Sequence, residues 1–298
     1  VVAEQKVLIA VADFLAKLNK IFKAMLKFAK AKPLGTAGLV ATVLLALAAI
    51  LAPWISPYSP NTIHQNAIMV APSRMFLLGT DELGRDVMSR VIWGGRISFF
   101  VGVGSSISGM TLGALLGIFS GYFGGKFDAF IQRIMDILMA FPFLVLSLAI
   151  VAALGPSTIN VIISIAITMI PRAARITRSS VLSVKEEQYI EAARAIGCSG
   201  WRISLKHVLP QCIAPYIVLV TAALGTGISI EATLSFLGAG TPPPTPTWGQ
   251  MLSGSLSHFE AAPWLSIFPG IAISLVIGGI NLFGDSLRDV LDPRLRTG

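Results

Sequence analysis

Five stretches of the 298-residue chain, at 34–52, 97–125, 137–171, about 212–230 and about 265–284, contain no Asp, Glu, Lys or Arg. A helix needs about 20 mostly apolar residues to cross the hydrocarbon core, so each stretch is long enough to span a membrane. The one at 137–171 holds two helices, divided at the turn-forming Gly155-Pro156-Ser157. Six spans result, and the chain reads as an all-α polytopic membrane protein. Composition agrees: 54% of residues are apolar and 13% charged, and the mean hydropathy is +0.76, outside the range of water-soluble domains.

Six spans put both termini on one side, and the distribution of Lys and Arg chooses that side. With the amino terminus inside, the inner segments hold eighteen of these residues. The outer ones hold four, Arg74, Arg85, Arg90 and Arg96, and Arg133 stays in a span. The termini are therefore expected in the cytoplasm. The net charge of +8 reflects this bias, and with no aromatic-interleaved basic patch nucleic acid is not expected as a partner.

Residues 1–33 repeat Val7, Val11, Phe14, Leu18, Ile21, Met25 and Phe28 on one helical face, with Lys6, Lys17, Lys20, Lys23, Lys27 and Lys30 on the others. This is the pattern of a basic amphipathic helix lying on anionic membrane lipid. A cleavable signal is set aside despite Ala46-Leu47-Ala48, because the preceding segment is too long and more spans follow. The first span occupies 34–55 with Trp54 as an interfacial anchor. An outside segment, 56–96, carries a short interfacial helix from near Asp81 to Gly94-Gly95. The core, 97–298, contains the other five spans and a cytoplasmic loop, 186–210. A second outside segment, 241–264, opens with TPPPTPTWGQML, whose prolines favour an extended cap over a pore mouth.

Catalytic chemistry is missing. GYFGGKF, at 121–127, has Ser120 where a phosphate loop places its first glycine and Phe127 where it needs Ser or Thr. His64, His207 and His258 stand apart with no metal-ligand spacing, and Cys198 and Cys212 fall in or beside the cytoplasmic loop, where no disulfide is expected. Ionisable groups in apolar surroundings are few. Arg133 and Asp136 are read as a local ion pair, and Glu231 as lying at the interface.

The polar, basic island EAARAIGCSGWRISLKHVLP, 191–210, reads as a helix, a break and a second short helix. Ile190, Ala193 and Ile196 share one face, Gly197 ends the first helix in a left-handed conformation, and Ser199 caps the next. Trp201, Leu205 and Val208 form the apolar side of that second helix, which stops or kinks at Pro210. Locally, a connector on lipid headgroups is the simpler reading. The alternative is a docking helix, with Ala192 and Ala193 letting another backbone close and Glu191 and Arg194 offering polar contacts.

These residues resemble the EAA loop of the permease subunits of binding-protein-dependent ABC importers, matched at Glu191, Ala192, Ala193, Gly197 and Leu209-Pro210. GTDELGRDVMSRVIWGGRISFFVG, EATLSFLGAGTPPPTPTWGQML and PGIAISLVIGGINLFGDSLRDVLDPRLR are similar to signature stretches of the dipeptide, oligopeptide and nickel subfamily, in its second permease subunit. The resemblance implies the type I importer permease fold in a bacterial inner membrane, and coupling to ATPases through Glu191, Ala192, Ala193, Arg194, Gly197, Leu209 and Pro210. It implies four partners: a homologous second permease, two ABC ATPase subunits, and a periplasmic or surface-anchored substrate-binding protein. ATP and magnesium would sit on the ATPases, with no cofactor on this chain. Di- or oligopeptides are the implied cargo, with nickel or glutathione as alternatives. A secondary transporter or channel is the competing class, but the paired broken helices and midplane charges it calls for are not evident.

Overall fold

The computed structural model describes residue 23 and residues 26–291. The amphipathic stripe of 1–33 lies largely outside these residues. Among the described residues, nine helices of eight or more residues form the frame: α1 (Pro33–Ile50), α2 (Val87–Phe123), α3 (Gly125–Met139), α4 (Phe143–Leu154), α5 (Thr158–Lys185), α6 (Gln188–Ala195), α7 (Ile213–Phe236), α8 (Trp248–Ser255) and α9 (Trp264–Leu291). Helices α1, α2, α5, α7 and α9 are each long and apolar enough to cross a membrane, and α3 with α4 reach that length and apolarity together, bent by 93° as in a broken span or a re-entrant loop.

The interfacial helix and the second span expected from the sequence are one helix, α2. It starts at Val87, because Asp86 accepts hydrogen bonds from the Ser89 backbone N–H at 2.8 Å and hydroxyl at 2.7 Å. Asp81 is engaged in a turn, accepting from the backbone of Leu83 and Arg85. Gly94 and Gly95 do not end the helix. A methyl group on Gly95 would stand 3.0 Å from the Trp248 ring and 3.1 Å from Ala49 Cβ, so these glycines make room for packing.

Along α2, Gly109, Gly113, Gly117 and Gly121 recur at intervals of four and meet α5. A Cβ on Gly109 would lie 2.6 Å from the Ala166 carbonyl oxygen and one on Gly113 2.7 Å from Ala173 Cβ, while one on Gly117 would overlap Thr177 and the Ala174 carbonyl. The two backbones are in contact along this seam, the arrangement expected where lipid supplies no hydrophobic drive between helices. Gly38 of α1 and Gly279 of α9 meet in the same way.

Gly124 and Gly125, both at positive φ, turn the chain from α2 into α3. Helix α3 buries Ile131 and Met135 and is clamped to α5 by charge. Arg178 donates from Nε and Nη2 to the two oxygens of Asp128, and Arg175 pairs with Asp136. The local Arg133–Asp136 pair is therefore not formed. Asp136 turns to α5, and Arg133 is exposed. The apolar stretch ends at Pro171 but the helix does not: α5 continues through Arg172, Arg175 and Arg178 to Lys185, carrying its polar third past the apolar zone.

Glu231 is fully buried in α7 rather than placed at an interface. Its Oε1 accepts the Ser235 hydroxyl at 2.7 Å, and Ser98 of α2 lies beside it. The segment 241–264 is not an extended cap throughout. Thr247 caps α8 by accepting from the Gln250 N–H, and Trp248 is buried beneath it, donating from Nε1 to the Val91 carbonyl at 2.8 Å.

Candidate functional site

The polar island folds as a helix seated on the ends of α2 and α5. Two residues, Glu186 and Glu187, separate α5 from α6. Helix α6 turns Ile190 and Ala193 into a cluster with Ile118, Tyr122, Val181, Ile203 and Val208. Glu191, Ala192, Arg194 and Ala195 point the other way and are exposed. The island thus presents a small-residue surface flanked by one acid and one base, with no ion pair to Glu191 or Arg194 among the described residues. Ala193 is a packing residue, so of the two alanines only Ala192 is open to a partner.

Ile196 does not share the buried face; it is 80% exposed, because α6 closes at Ala195 and the backbone has left the helical path. Gly197, at φ +81, makes the turn, with its N–H bonded to the Arg194 carbonyl at 3.0 Å and the Cys198 N–H to the Ala193 carbonyl at 3.0 Å. This is the double closure typical of a glycine-terminated helix. Ser199 then accepts the Arg202 N–H and starts a four-residue helix, Gly200–Ile203.

The second helix does not stop at Pro210. It widens into a π turn, Ser204–Val208, passes through Leu209–Gln211 and runs by way of Cys212 into α7. The wider turn accommodates a proline that can neither donate a backbone hydrogen bond nor sit close to the preceding carbonyls. Leu209 is half-buried and Pro210 exposed. Val208 is buried, whereas Trp201 and Leu205 are exposed at 59% and 49%. Trp201 nevertheless leans on the end of α2, its ring centroid 4.9 Å from that of Phe123 and 5.3 Å from that of Phe119. The arginine clamps of α5 carried no usable sequence signal, since each depends on a carboxylate 39 or 50 residues away in the chain.

At the opposite end of the bundle, the segments 56–96 and 241–264 meet. Asp81 pairs with Arg85 at 2.7 Å and with Arg90 at 3.5 Å, and Arg90 donates to the Pro60 carbonyl at 3.1 Å. A cavity of about 510 Å³ opens there between Arg85, Pro156, Thr241, Pro243 and Gln250. Its charges are satisfied by one another, so it is a shaped mouth rather than a reactive centre. Among the described residues no three His, Cys, Asp or Glu stand together as metal ligands.

Residues 113–297 match the family model of the binding-protein-dependent transport system inner membrane component. Residues 22–72 match that of the N-terminal TM domain of oligopeptide transport permease C. Among curated proteins, the chain is 44% identical over 259 residues, 87% of each sequence, to a putative peptide transport system permease protein of Brucella suis. It is 42% identical to a di/tripeptide transport system permease protein of Pseudomonas aeruginosa, covering 87% of this chain and 88% of the relative. To a glutathione transport system permease protein of Pectobacterium atrosepticum it is 40% identical, covering 88% and 87%.

Proposed function

The chain belongs to the family of binding-protein-dependent transport system inner membrane components, and from that premise we propose that it forms half of the transmembrane pore of an ATP-driven peptide importer. The observation that carries the coupling assignment is the outward face of α6. Glu191, Ala192 and Arg194 stand exposed beside Gly197 on a helix whose inner face is packed onto α2 and α5. An ATPase subunit seated on that face would move α5 and α7 with it, because α6 follows α5 after two residues and packs on Ile203 and Val208 of the segment that runs into α7. Rigid-body transfer of this kind needs two packed arrangements of the bundle.

In this reading α6 and both termini face the cytoplasm of a bacterial inner membrane, as the Lys and Arg bias favours. The shaped mouth formed by 56–96 and 241–264 receives a binding protein on the outside. A homologous permease supplies the other half of the pore and two ATPases supply ATP and magnesium, so this chain performs no catalysis. Relatives named for dipeptide transport support peptides as cargo, and glutathione, named for another relative, is itself a peptide.

The test is reconstitution. The purified single chain in liposomes should neither hydrolyse ATP nor accumulate a dipeptide under a proton or sodium gradient. Adding the partner permease, both ATPases and the binding protein should produce ATP-dependent uptake. Gradient-driven uptake by the single chain would reject the importer subunit in favour of a secondary transporter.

A further inference from the structure

We propose that the groove between α4, α7 and α9 is a contact site for the backbone of the peptide in transit, an assignment that rests on the importer reading above. The groove has a volume of about 360 Å³, within the range of small-molecule sites. Its walls are apolar, Phe143, Leu144 and Ile277 among them, but its floor is Thr226, Ser229, Thr233 and Asn281. Thr226 sits near the middle of α7 with Ser229 and Thr233 on the following turns, and Asn281 lies in the second half of α9; both helices are apolar enough to span a membrane. Thr226, Ser229 and Asn281 are exposed.

Exposed hydroxyl and amide groups at that depth do not face lipid, where each would lack a partner. Helix α1 shows what a lipid-compatible face looks like in this chain: Val40, Val43, Leu44 and Leu47. Thr226 and Thr233 donate to their own helix, to the carbonyls of Ala222 and Ser229, and keep lone pairs free. The Ser229 hydroxyl and the Asn281 amide have no hydrogen-bond partner among the described residues. Asn281 is seated deliberately: a Cβ on Gly225 would lie 2.7 Å from its Oδ1, so only glycine there lets the amide lie across α7.

The floor offers donors and acceptors but no charge. An extended peptide carries one unsatisfied N–H and one C=O per residue, whatever its side chains, and suits such a floor. A helix of a partner permease satisfies its own backbone internally and reaches Ser229 and Asn281 only where it carries a polar side chain at the matching position. An uncharged floor also places no demand on the charge of the cargo's side chains.

The experiment uses the full assembly, with partner permease, ATPases and binding protein, in proteoliposomes supplied with radiolabelled alanyl-alanine. Ser229→Ala and Asn281→Leu should each lower uptake roughly 2- to 10-fold, the worth of one neutral hydrogen bond, and Ser229→Thr should restore it. Co-purification of the partner subunits shows that the variants assemble. Uptake at the wild-type rate in both variants would overturn the assignment. A Ser229→Cys variant tests it independently of assembly strength. Alanyl-alanine and ATP should slow its alkylation by a membrane-permeant maleimide. Equal labelling with and without dipeptide, or cross-linking of that cysteine to the partner permease in its place, would overturn the assignment. Were the wild-type assembly to import no dipeptide, the importer reading would fall and the groove with it; loss of the groove alone leaves wild-type import intact.

Discussion

Gly197 offers a graded test of whether the end of α6 transmits force. Nothing lies within 4 Å of the position a Cβ would take there, so a substitution acts through backbone conformation and not through packing. At φ +81 an ordinary L-residue is disfavoured by about 1–2 kcal/mol, enough to shift the ratio of closed to frayed helix ends by roughly 5- to 30-fold. Asn tolerates this region and should behave nearly as Gly. Ala should be intermediate. Pro cannot adopt φ +81 and also loses the N–H bond to the Arg194 carbonyl, about 1 kcal/mol more. In the assembled complex, binding-protein-stimulated ATP hydrolysis and peptide uptake should fall in the order Gly, Asn, Ala, Pro, with Pro below roughly a tenth of wild type. All four chains should reach the membrane equally. Wild-type coupling in Ala and Pro, or Asn as damaging as Pro, would refute the reasoning.

Gly117→Leu should drive a side chain into Thr177 and the Ala174 carbonyl and cost about 1–3 kcal/mol or more, read as a lowered unfolding midpoint in detergent. Gly104→Ala, whose new methyl would meet Ile162 at 3.4 Å, should not. Glu231→Gln keeps the acceptor for Ser235 and should be tolerated, whereas Glu231→Ala empties a fully buried site and should cost about 2–4 kcal/mol by the same measurement. Cys212 is 1% exposed and burial pushes its thiol up. Because the thiolate is the nucleophile, its alkylation should be slow at neutral pH and rise only above the ordinary thiol range of about 8.5. Half-exposed Cys198 should react readily once reagent reaches the cytoplasmic side, and a Thr245→Cys variant should react from outside. The reverse sidedness would overturn the orientation.

Features that depend on neighbouring residues were legible in the sequence. The charge-free stretches mark the starts of α1, α7 and α9 to within one residue, and Gly197 and Ser199 end and begin helices as their conformational preferences require. What escaped depends on residues distant in the chain. Gly94 and Gly95 look like a helix end, yet Trp248, more than 150 residues later, occupies the space they leave. Asp136 has Arg133 one turn away and binds Arg175 instead. Glu231 looks interfacial by its position near the end of an apolar run, and only the packing of α7 on α2, which brings Ser98 beside it, buries it. At the candidate coupling surface, periodicity placed Ile190 and Ala193 inward correctly but carried Ile196 with them, because it cannot register that the helix has already ended.

The glycine seam between α2 and α5 makes these two helices a single stiff beam. Helices whose backbones touch cannot slide past one another without unseating every contact along the seam. Helix α5 is 28 residues long, about 42 Å. Its last residue is two residues from α6, and at its opposite end the Thr158 hydroxyl lies 3.2 Å from that of Thr241 in the proline segment over the mouth. A tilt of about 10° pivoting at one end would carry the other through ~7 Å, enough to open or close an aperture the width of an extended chain. A lever of that length converts a modest swivel on one face of the bilayer into the stroke of a gate on the other.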